Sequence, residues 1–325
     1  MTRQLHRTLF SAIALSVLGV VIPQATAQTY PSRPIRLIVP YPPGGAADAT
    51  ARILWPRIGD VFGQQIVIDN RGGASGIIGA DIVAKSAADG YTLLHDASAF
   101  TVNPALRKLP FDPLKDLLPV AMLMRTPNML VVHPSVPVAT MRDLVELAKA
   151  QPGRITYASS GFGSAPHMAG ELFQYVTKVK LSHVPYKGGG LAYVDLLGGH
   201  VQLFFGSIAS ALPHVQGNKL KGIALTAAKR SASAPQIPTM AESGVQGVEV
   251  YEWNGLYVPA NTAPAIVTRL NTEVNKMLGN NDVQQRFFQL GAEAVPVTPA
   301  ELGNYVRGEI ARWSKTVKEM GIKGE

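Results

Sequence analysis

Ile35-Arg-Leu-Ile-Val-Pro-Tyr-Pro-Pro-Gly-Gly-Ala-Ala-Asp48 is the stretch whose reading decides the fold. Ile35 to Pro40 is a short apolar run rich in β-branched residues, the pattern of a buried strand. Tyr41-Pro42-Pro43-Gly44-Gly45 stops it, and Ala47, Ala51, Leu54, Ile58 and Val61 then recur at helical spacing. The order is strand, loop, helix. Pro56 falls inside this helix and is expected to kink or break it, because proline removes an intrahelical donor and clashes with the preceding turn.

The same order repeats outward from that stretch. Ile66 to Asp69 reads as a strand, Asn70 to Gly76 as a glycine-rich loop, Ile77 to Ala88 as a helix and Tyr91 to Leu94 as a strand. A linker rich in proline follows (Pro104, Pro110, Pro113, Pro119), then a strand at Met129 to His133 and a helix at Met141 to Ala150 with Thr140 as N-cap. Strand Arg154 to Ala158, loop Ser159 to Ser164, helix Pro166 to Thr177, strand Leu181 to Val184, loop Pro185 to Gly190, a helix through Leu197 and strand Val201 to Phe205 make a second set. The apolar run Gly222 to Thr226 reads as a return crossing. Thr262-Ala263-Pro264 opens a helix, and Thr298-Pro299-Ala300-Glu301 is a capping box that opens the last one. Strands alternating with helices imply α/β architecture with parallel βαβ units. At 325 residues the chain exceeds the roughly 100 to 150 of one typical domain. Two lobes are expected: 28–130 plus 223–325 for the first, 131–222 for the second.

Arg3 and Arg7 precede an apolar run from Leu9 to Ile22, and Ala25-Thr-Ala27 offers a small-residue cleavage site, so 1–27 read as a signal peptide and the mature chain is expected to begin at Gln28. The apolar run is shorter than the roughly 20 residues that span a bilayer. Cysteine is absent, which excludes disulfides, thiolate metal sites and a cysteine nucleophile. The formal charge is +8, or +6 without the two leader arginines, and the basic residues are scattered rather than clustered. That distribution argues against nucleic acid as a partner.

In open α/β sheets ligands lie beyond the carboxyl ends of strands, where helix N-termini direct unpaired amides and about half a positive charge into the crevice. Three loops have the composition for this: Pro43-Gly-Gly-Ala-Ala-Asp48, Arg71-Gly-Gly-Ala-Ser-Gly76 and Ser159-Ser-Gly-Phe-Gly-Ser164. Together they read as an anion cradle. Asp48 would repel an anion, so it is expected to order its loop. Arg71 reads as an exposed loop arginine, and Phe100, Phe162, Phe205 and Trp253 are candidates to line an aromatic ligand's pocket.

Tyr30-Pro-Ser-Arg-Pro-Ile35, Val39-Pro-Tyr-Pro-Pro-Gly-Gly-Ala-Ala-Asp48, Asp69-Asn-Arg-Gly-Gly-Ala-Ser-Gly76, Asp89-Gly-Tyr-Thr-Leu-Leu94, Val102-Asn-Pro-Ala-Leu106, Tyr157-Ala-Ser-Ser-Gly-Phe-Gly-Ser164 with His167, and His183-Val-Pro-Tyr-Lys-Gly188 resemble, in order, the motifs of the Bug family. These are the periplasmic solute-binding receptors of tripartite tricarboxylate transporters. The resemblance covers the mature chain and implies a type II periplasmic-binding-protein fold, a clamshell closing on a small carboxylate without a cofactor. It implies a monomer that hands its ligand to membrane transporter subunits. By motif position the ligand site would use Gly44, Gly45 and Asp48, Gly73, Ala74 and Ser75, and Ser160, Gly163, Ser164 and His167. The chain departs from the family at Gly72 and Ser75, and at Gly206-Ser207, where an acidic residue is common. The second departure favours a plain or aromatic carboxylate over an amino acid.

Three other readings compete. Gly73, Gly76 and Gly79 precede a helix, with Asp96 ending the next strand, but the spacing is G-x-x-G-x-x-G and not that of a dinucleotide-binding loop. Ser160 and Ser164 lie near His167 in the chain, but neither sits in the G-x-S-x-G of a hydrolase nucleophile elbow. A sensor whose liganded form docks on a signalling partner uses the same cradle and stays open. The histidines are isolated and no metal is expected.

Overall fold

A computed structural model describes residues 30–322, so the leader and its cleavage site lie outside the described residues. Strand β1 (Ile35–Val39) leads into helix α1 (Ala46–Phe62), then β2 (Ile66–Asn70), a short turn at Ala74–Gly76, α2 (Ile77–Ala84), β3 (Thr92–Ala97), α3 (Ala99–Leu106) and the long β4 (Leu117–Val132). Next come α4 (Met141–Ala150), β5 (Thr156–Ser159), α5 (Ala165–Thr177), β6 (Ser182–Pro185), α6 (Gly189–Leu197), β7 (Leu203–Ser207), α7 (Ile208–Gln216) and β8 (Lys221–Leu225). The chain closes with β9 (Tyr251–Pro259), α8 (Pro264–Leu278), α9 (Asn281–Gln289), β10 (Glu293–Ala294) and α10 (Pro299–Met320).

The strands run in the order β2-β1-β3-β9-β4-β7-β5-β6, with β8 and β10 also paired to β4. β1 is parallel to β2 and β3, while β9 is antiparallel to both β3 and β4. On the other side β5 is parallel to β6 and β7, and β7 is antiparallel to β4. β4 is therefore common to two mixed sheets: Leu117–Pro127 pairs with β9, and Asn128–Val132 pairs with β7 and, from Met129, with β8. This is the two-lobed α/β architecture that the resemblance implied. The strand directions have a consequence. β1 to β3 point the same way as β4 and β5 to β7 point against it, so the carboxyl ends of the two parallel sets face one another where β4 passes between the sheets.

Helices cover both faces of each sheet. Ile35, Leu37 and Val39 pack with Ala51, Leu54, Trp55 and Ile58 of α1, and Ile38 and Leu94 pack with Ile77, Ala80 and Val83 of α2. In the second lobe Leu144 of α4 and Phe173 of α5 cover one face, and Ala192, Leu196 and Ala211 of α6 and α7 the other. Each fully buried aliphatic side chain contributes about 1.5 to 3 kcal/mol by leaving water.

The structure corrects several readings of the sequence. α1 continues through Pro56 without a break, since Leu54, Trp55 and Ile58 around it are all fully buried and their burial outweighs the lost hydrogen bond. α2 ends at Ala84, four residues short of Ala88. The proline-rich stretch is not a linker. It contains α3, with Pro104 inside it, and the first half of β4, where Pro119 sits at a shift in the ladder register. Such an irregularity is where a sheet accepts a residue with no N–H. The run Gly222 to Thr226 largely forms β8, paired to the end of β4 across from β7. The two expected caps are as read: Thr140 with Asp143 and Thr298 with Glu301 both form reciprocal capping boxes.

Candidate ligand-binding cleft

The loop after β1 is ordered by Asp48. Its Oδ2 accepts from the Gly44 amide at 3.0 Å and from Arg52 Nε at 2.9 Å, while Oδ1 accepts from Asn70 Nδ2 at 3.0 Å. The same Asn70 amide group donates to the Tyr41 carbonyl at 3.0 Å, which fixes the first loop to the end of β2. Burial pushes the Asp48 carboxyl up, but the hydrogen bonds from Arg52, Gly44 and Asn70 overcome it and hold the group below its ordinary range. Asp48 is thus an anionic hub inside the loop, 2 % exposed, and does not present its charge to the cleft.

The second loop adopts a rare backbone. Gly73, Ala74, Ser75 and Gly76 all have positive φ (141°, 47°, 53° and 97°). A Cβ at Gly73 would lie 2.4 Å from Ile78 Cδ1, so that exposed side chain would have to swing away. Holding Ala74 and Ser75 in the left-handed region costs about 1 to 2 kcal/mol each. That strain is sustained by what Ser75 does: its Oγ donates to the Phe162 carbonyl at 2.6 Å, and its own carbonyl accepts from Asn103 Nδ2 at 3.0 Å. The second loop therefore touches the third across the cleft.

The third loop, Ser159 to Ser164, is held from within. Ser164 Oγ caps α5 through the His167 amide at 3.4 Å and donates to the Gly161 carbonyl at 2.6 Å. His167 Nδ1 accepts from the Gly163 amide at 3.1 Å, so its proton is on Nε2. Its ring lies 4.6 Å from Phe162 and 4.4 Å from His183, and His183 stacks on Tyr157 at 4.8 Å and meets Ser159 Oγ at 2.7 Å. Burial lowers His183 to about 4, and burial first, then the cost of charging two adjacent rings together and the Arg107 charge, lowers His167 to about 3, so both rings are neutral at pH 7.

Of the residues carried over from the resemblance, Gly44, Gly45, Gly73, Ala74, Ser75, Ser160, Gly163 and Ser164 lie on loops that converge on the cleft, while Asp48 and His167 are buried just behind them. Ser160 is half-buried. Helices α1, α2 and α6 all begin on glycine (Gly45, Gly76, Gly188) with no side-chain cap, unlike α4, α9 and α10, which Thr140, Asn280 and Thr298 cap. The first-turn amides of these three helices are therefore not occupied by a cap side chain, whereas in α5 the Ser164 hydroxyl takes the His167 amide. Arg71 pairs with Asp69 at 2.9 Å on the surface and is no clamp. Phe100, Phe205 and Trp253 are core residues at most 2 % exposed, and only Phe162 of the four aromatic candidates reaches the cleft.

The sequence reading missed a group on the cleft floor. Tyr41 donates to Asp96 Oδ1 at 2.8 Å, and Ser98 Oγ donates to Glu252 Oε2 at 3.0 Å. Only the ladder β3–β9 brings Asp96 and Glu252 together, so no motif announces them. His183 is satisfied by the Ser159 hydroxyl. No serine near His167 meets its imidazole as a nucleophile would, because Gly163 occupies Nδ1 and Ser164 is committed to Gly161. Among the described residues no group of three or more His, Cys, Asp or Glu could hold a metal, and no helix is long and apolar enough to cross a membrane.

Comparison with known proteins gives the family. Residues 50–322 match the family model described as tripartite tricarboxylate transporter family receptor. Protein BugT of Bordetella pertussis is 39% identical over 318 residues, which is 95% of this chain and 98% of that protein. The solved structure of the periplasmic binding protein BugD superposes with a TM-score of 0.86 at 32% identity, over 91% of this chain and all of that one. That of Rpa4515 of R. palustris with adipate gives 0.87 at 37% identity, over 91% and 100%. The chain belongs to the tripartite tricarboxylate transporter receptors, the Bug family of periplasmic solute-binding proteins, which are receptors and not enzymes.

Proposed function

We propose that the protein captures a small carboxylate, a di- or tricarboxylate or an aromatic acid, and delivers it as a monomer to the membrane subunits of a tripartite tricarboxylate transporter. The observation that carries the reading is the meeting of three glycine-rich loops, two of which open helices (α1 and α2) with no side-chain cap while the third, capped by Ser164, touches the second through Ser75 and Phe162. Backbone amides of Gly45, Gly73, Ala74 and Ser75, with the Ser160 hydroxyl, grip one carboxylate, while Gly44, whose amide is taken by Asp48, shapes the first loop. Gly163, Ser164 and His167 hold the opposing loop in shape, and Asp48 does so for the first. The relative solved with adipate supports a carboxylate ligand. Closure moves a first lobe, 28–130 with the chain beyond β8, against a second that begins at 131; we take the return boundary after β8, rather than at 222/223, because β8 pairs with the same end of β4 as β7, on its other edge. The ligand favours the closed form by its differential affinity for it.

The test is a thermal-shift screen of residues 28–325, refolded to strip bound ligand, against di- and tricarboxylates, aromatic acids and their neutral amides. A ligand at about 100 times its Kd should stabilise the fold by about 2.7 kcal/mol, a shift of a few degrees. Carboxylates that raise the melting point where their amides do not support the reading; a response to neutral sugars alone overturns it.

A further inference from the structure

Glu252 stands at the start of β9, opposite Thr126 of β4, one residue before β4 exchanges its β9 partner for β7. That is the floor of the cleft, at the carboxyl edge of β3, where Ser98 reaches Glu252. Asp96 lies beside it. Its Oδ1 accepts from Tyr41 and from the Ala97 amide at 2.7 Å, and a Cβ on Gly76 of the second loop would come within 3.1 Å of it. The other oxygen, Oδ2, is buried without a partner, although the residue is 1 % exposed. The Tyr257 hydroxyl is equally buried and also unpartnered, and it lies against Gly255, the residue that faces Asp96 in the β3–β9 ladder. Two carboxyls thus sit together under an anion cradle, and among the described residues no lysine or arginine charge bears on either.

An isolated buried carboxylate is costly, and two that repel one another are more so. The groups facing them are Tyr41 before α1, Ser98 after β3 and Tyr257 on β9, and burial keeps both phenols neutral, so none supplies a positive charge. We propose that Glu252, backed by Asp96, reads the far end of the ligand as a protonated carboxyl that donates a hydrogen bond to a second carboxylate, which makes dicarboxylate binding proton-linked. The inference rests on the carboxylate reading above. Burial raises both acids to about 7, with the charge of Glu252 adding to the push on Asp96. An ionised Glu252 would repel a second carboxylate; a protonated one accepts it at the cost of taking up a proton from solvent.

Two measurements test this on the mature chain. Carbon-13 carboxyl NMR of the free protein should show one of Asp96 and Glu252 titrating between pH 6 and 8, and titration of both below pH 5 overturns the proposal. Thermal shifts with succinate, malate and adipate, set against 4-aminobutyrate and 6-aminohexanoate, read the ligand side. The best dicarboxylate should bind about 10-fold more tightly at pH 6 than at pH 8, and Glu252→Gln, whose amide donates at any pH, should abolish that difference while still binding. Stronger stabilisation by an amino acid than by the dicarboxylate of matched length overturns it, because an ammonium group would then be the partner of an ionised Glu252. Failure of every acid to bind, with the NMR titration as expected, overturns the carboxylate reading and the role of Glu252 in it, and leaves a buried proton-sharing pair.

Discussion

Ser75 Oγ donates a 2.6 Å hydrogen bond to the Phe162 carbonyl, joining a loop of the first sheet to a loop of the second directly across the cleft. Such a bond contributes to the closed arrangement and to nothing within either lobe. Ser75→Ala removes it and keeps a residue of similar size at φ 53°. A net loss of about 1 kcal/mol from closure predicts about 5-fold weaker ligand binding, read by isothermal titration calorimetry. The melting point of the free protein should change little.

Gly45 has an ordinary backbone, φ −79° and ψ 171°, and a Cβ there would meet nothing closer than the Pro42 carbonyl at 3.7 Å. Gly45→Val therefore folds, losing about 1 kcal/mol at the helix start. It places a branched side chain where the first cradle amides converge. We expect loss of carboxylate binding by 10-fold or more with a melting point within a few degrees of the parent, and retained affinity in the folded variant would rule out this loop as a site.

Asp48→Asn should destabilise the protein at pH 7 by about 2 kcal/mol, since the acceptors for Gly44, Arg52 and Asn70 are weakened together. The folded-state carboxyl titrates below its ordinary value, so its contribution is present above about pH 4 and is lost as pH falls through the folded value. Urea midpoints of parent and variant should converge below pH 4.

Three histidines, two buried and His183 partly so, are neutral in the fold. Trp55 Nε1 donates to His95 Nδ1 at 3.0 Å, and burial lowers His95 to about 4, as it does His183, with His167 at about 3. The unfolded chain takes up protons on these rings from about pH 6.5 downward and the folded chain does not, so stability falls as pH drops from 6.5 to 4. The slope contributed by each is about 1.4 kcal/mol per pH unit at most. His183→Gln should flatten the urea-midpoint profile across this window by one proton; an unchanged slope would mean that His183 is already charged in the fold.

Much of the fold was legible because it is written in local pattern. The strand-loop-helix order around Ile35 to Ile58, the capping boxes at Thr140 and Thr298 and the three glycine-rich loops depend on residues close in sequence, and each is found where its residues are. The expectation that Asp48 orders its loop came from its charge and is met by three hydrogen bonds. What misled was proline read as punctuation. Pro56, Pro104 and Pro119 all lie inside regular elements, because burial of neighbours such as Trp55, Val102 and Met122 outweighs one missing donor.

The sequence by itself determined an α/β chain, the cradle loops and a family resemblance, since all three rest on composition and spacing over a dozen residues or so. Only the tertiary structure decided what faces the cleft. β4, hidden in a proline-rich stretch, joins the lobes and turns two sets of strand ends toward each other, and β9 returns from more than 150 residues away to set Glu252 beside Asp96. Charge repulsion acts through space and leaves no periodicity in the chain, so the acidic pair beneath the anion cradle became visible only when the strands were paired.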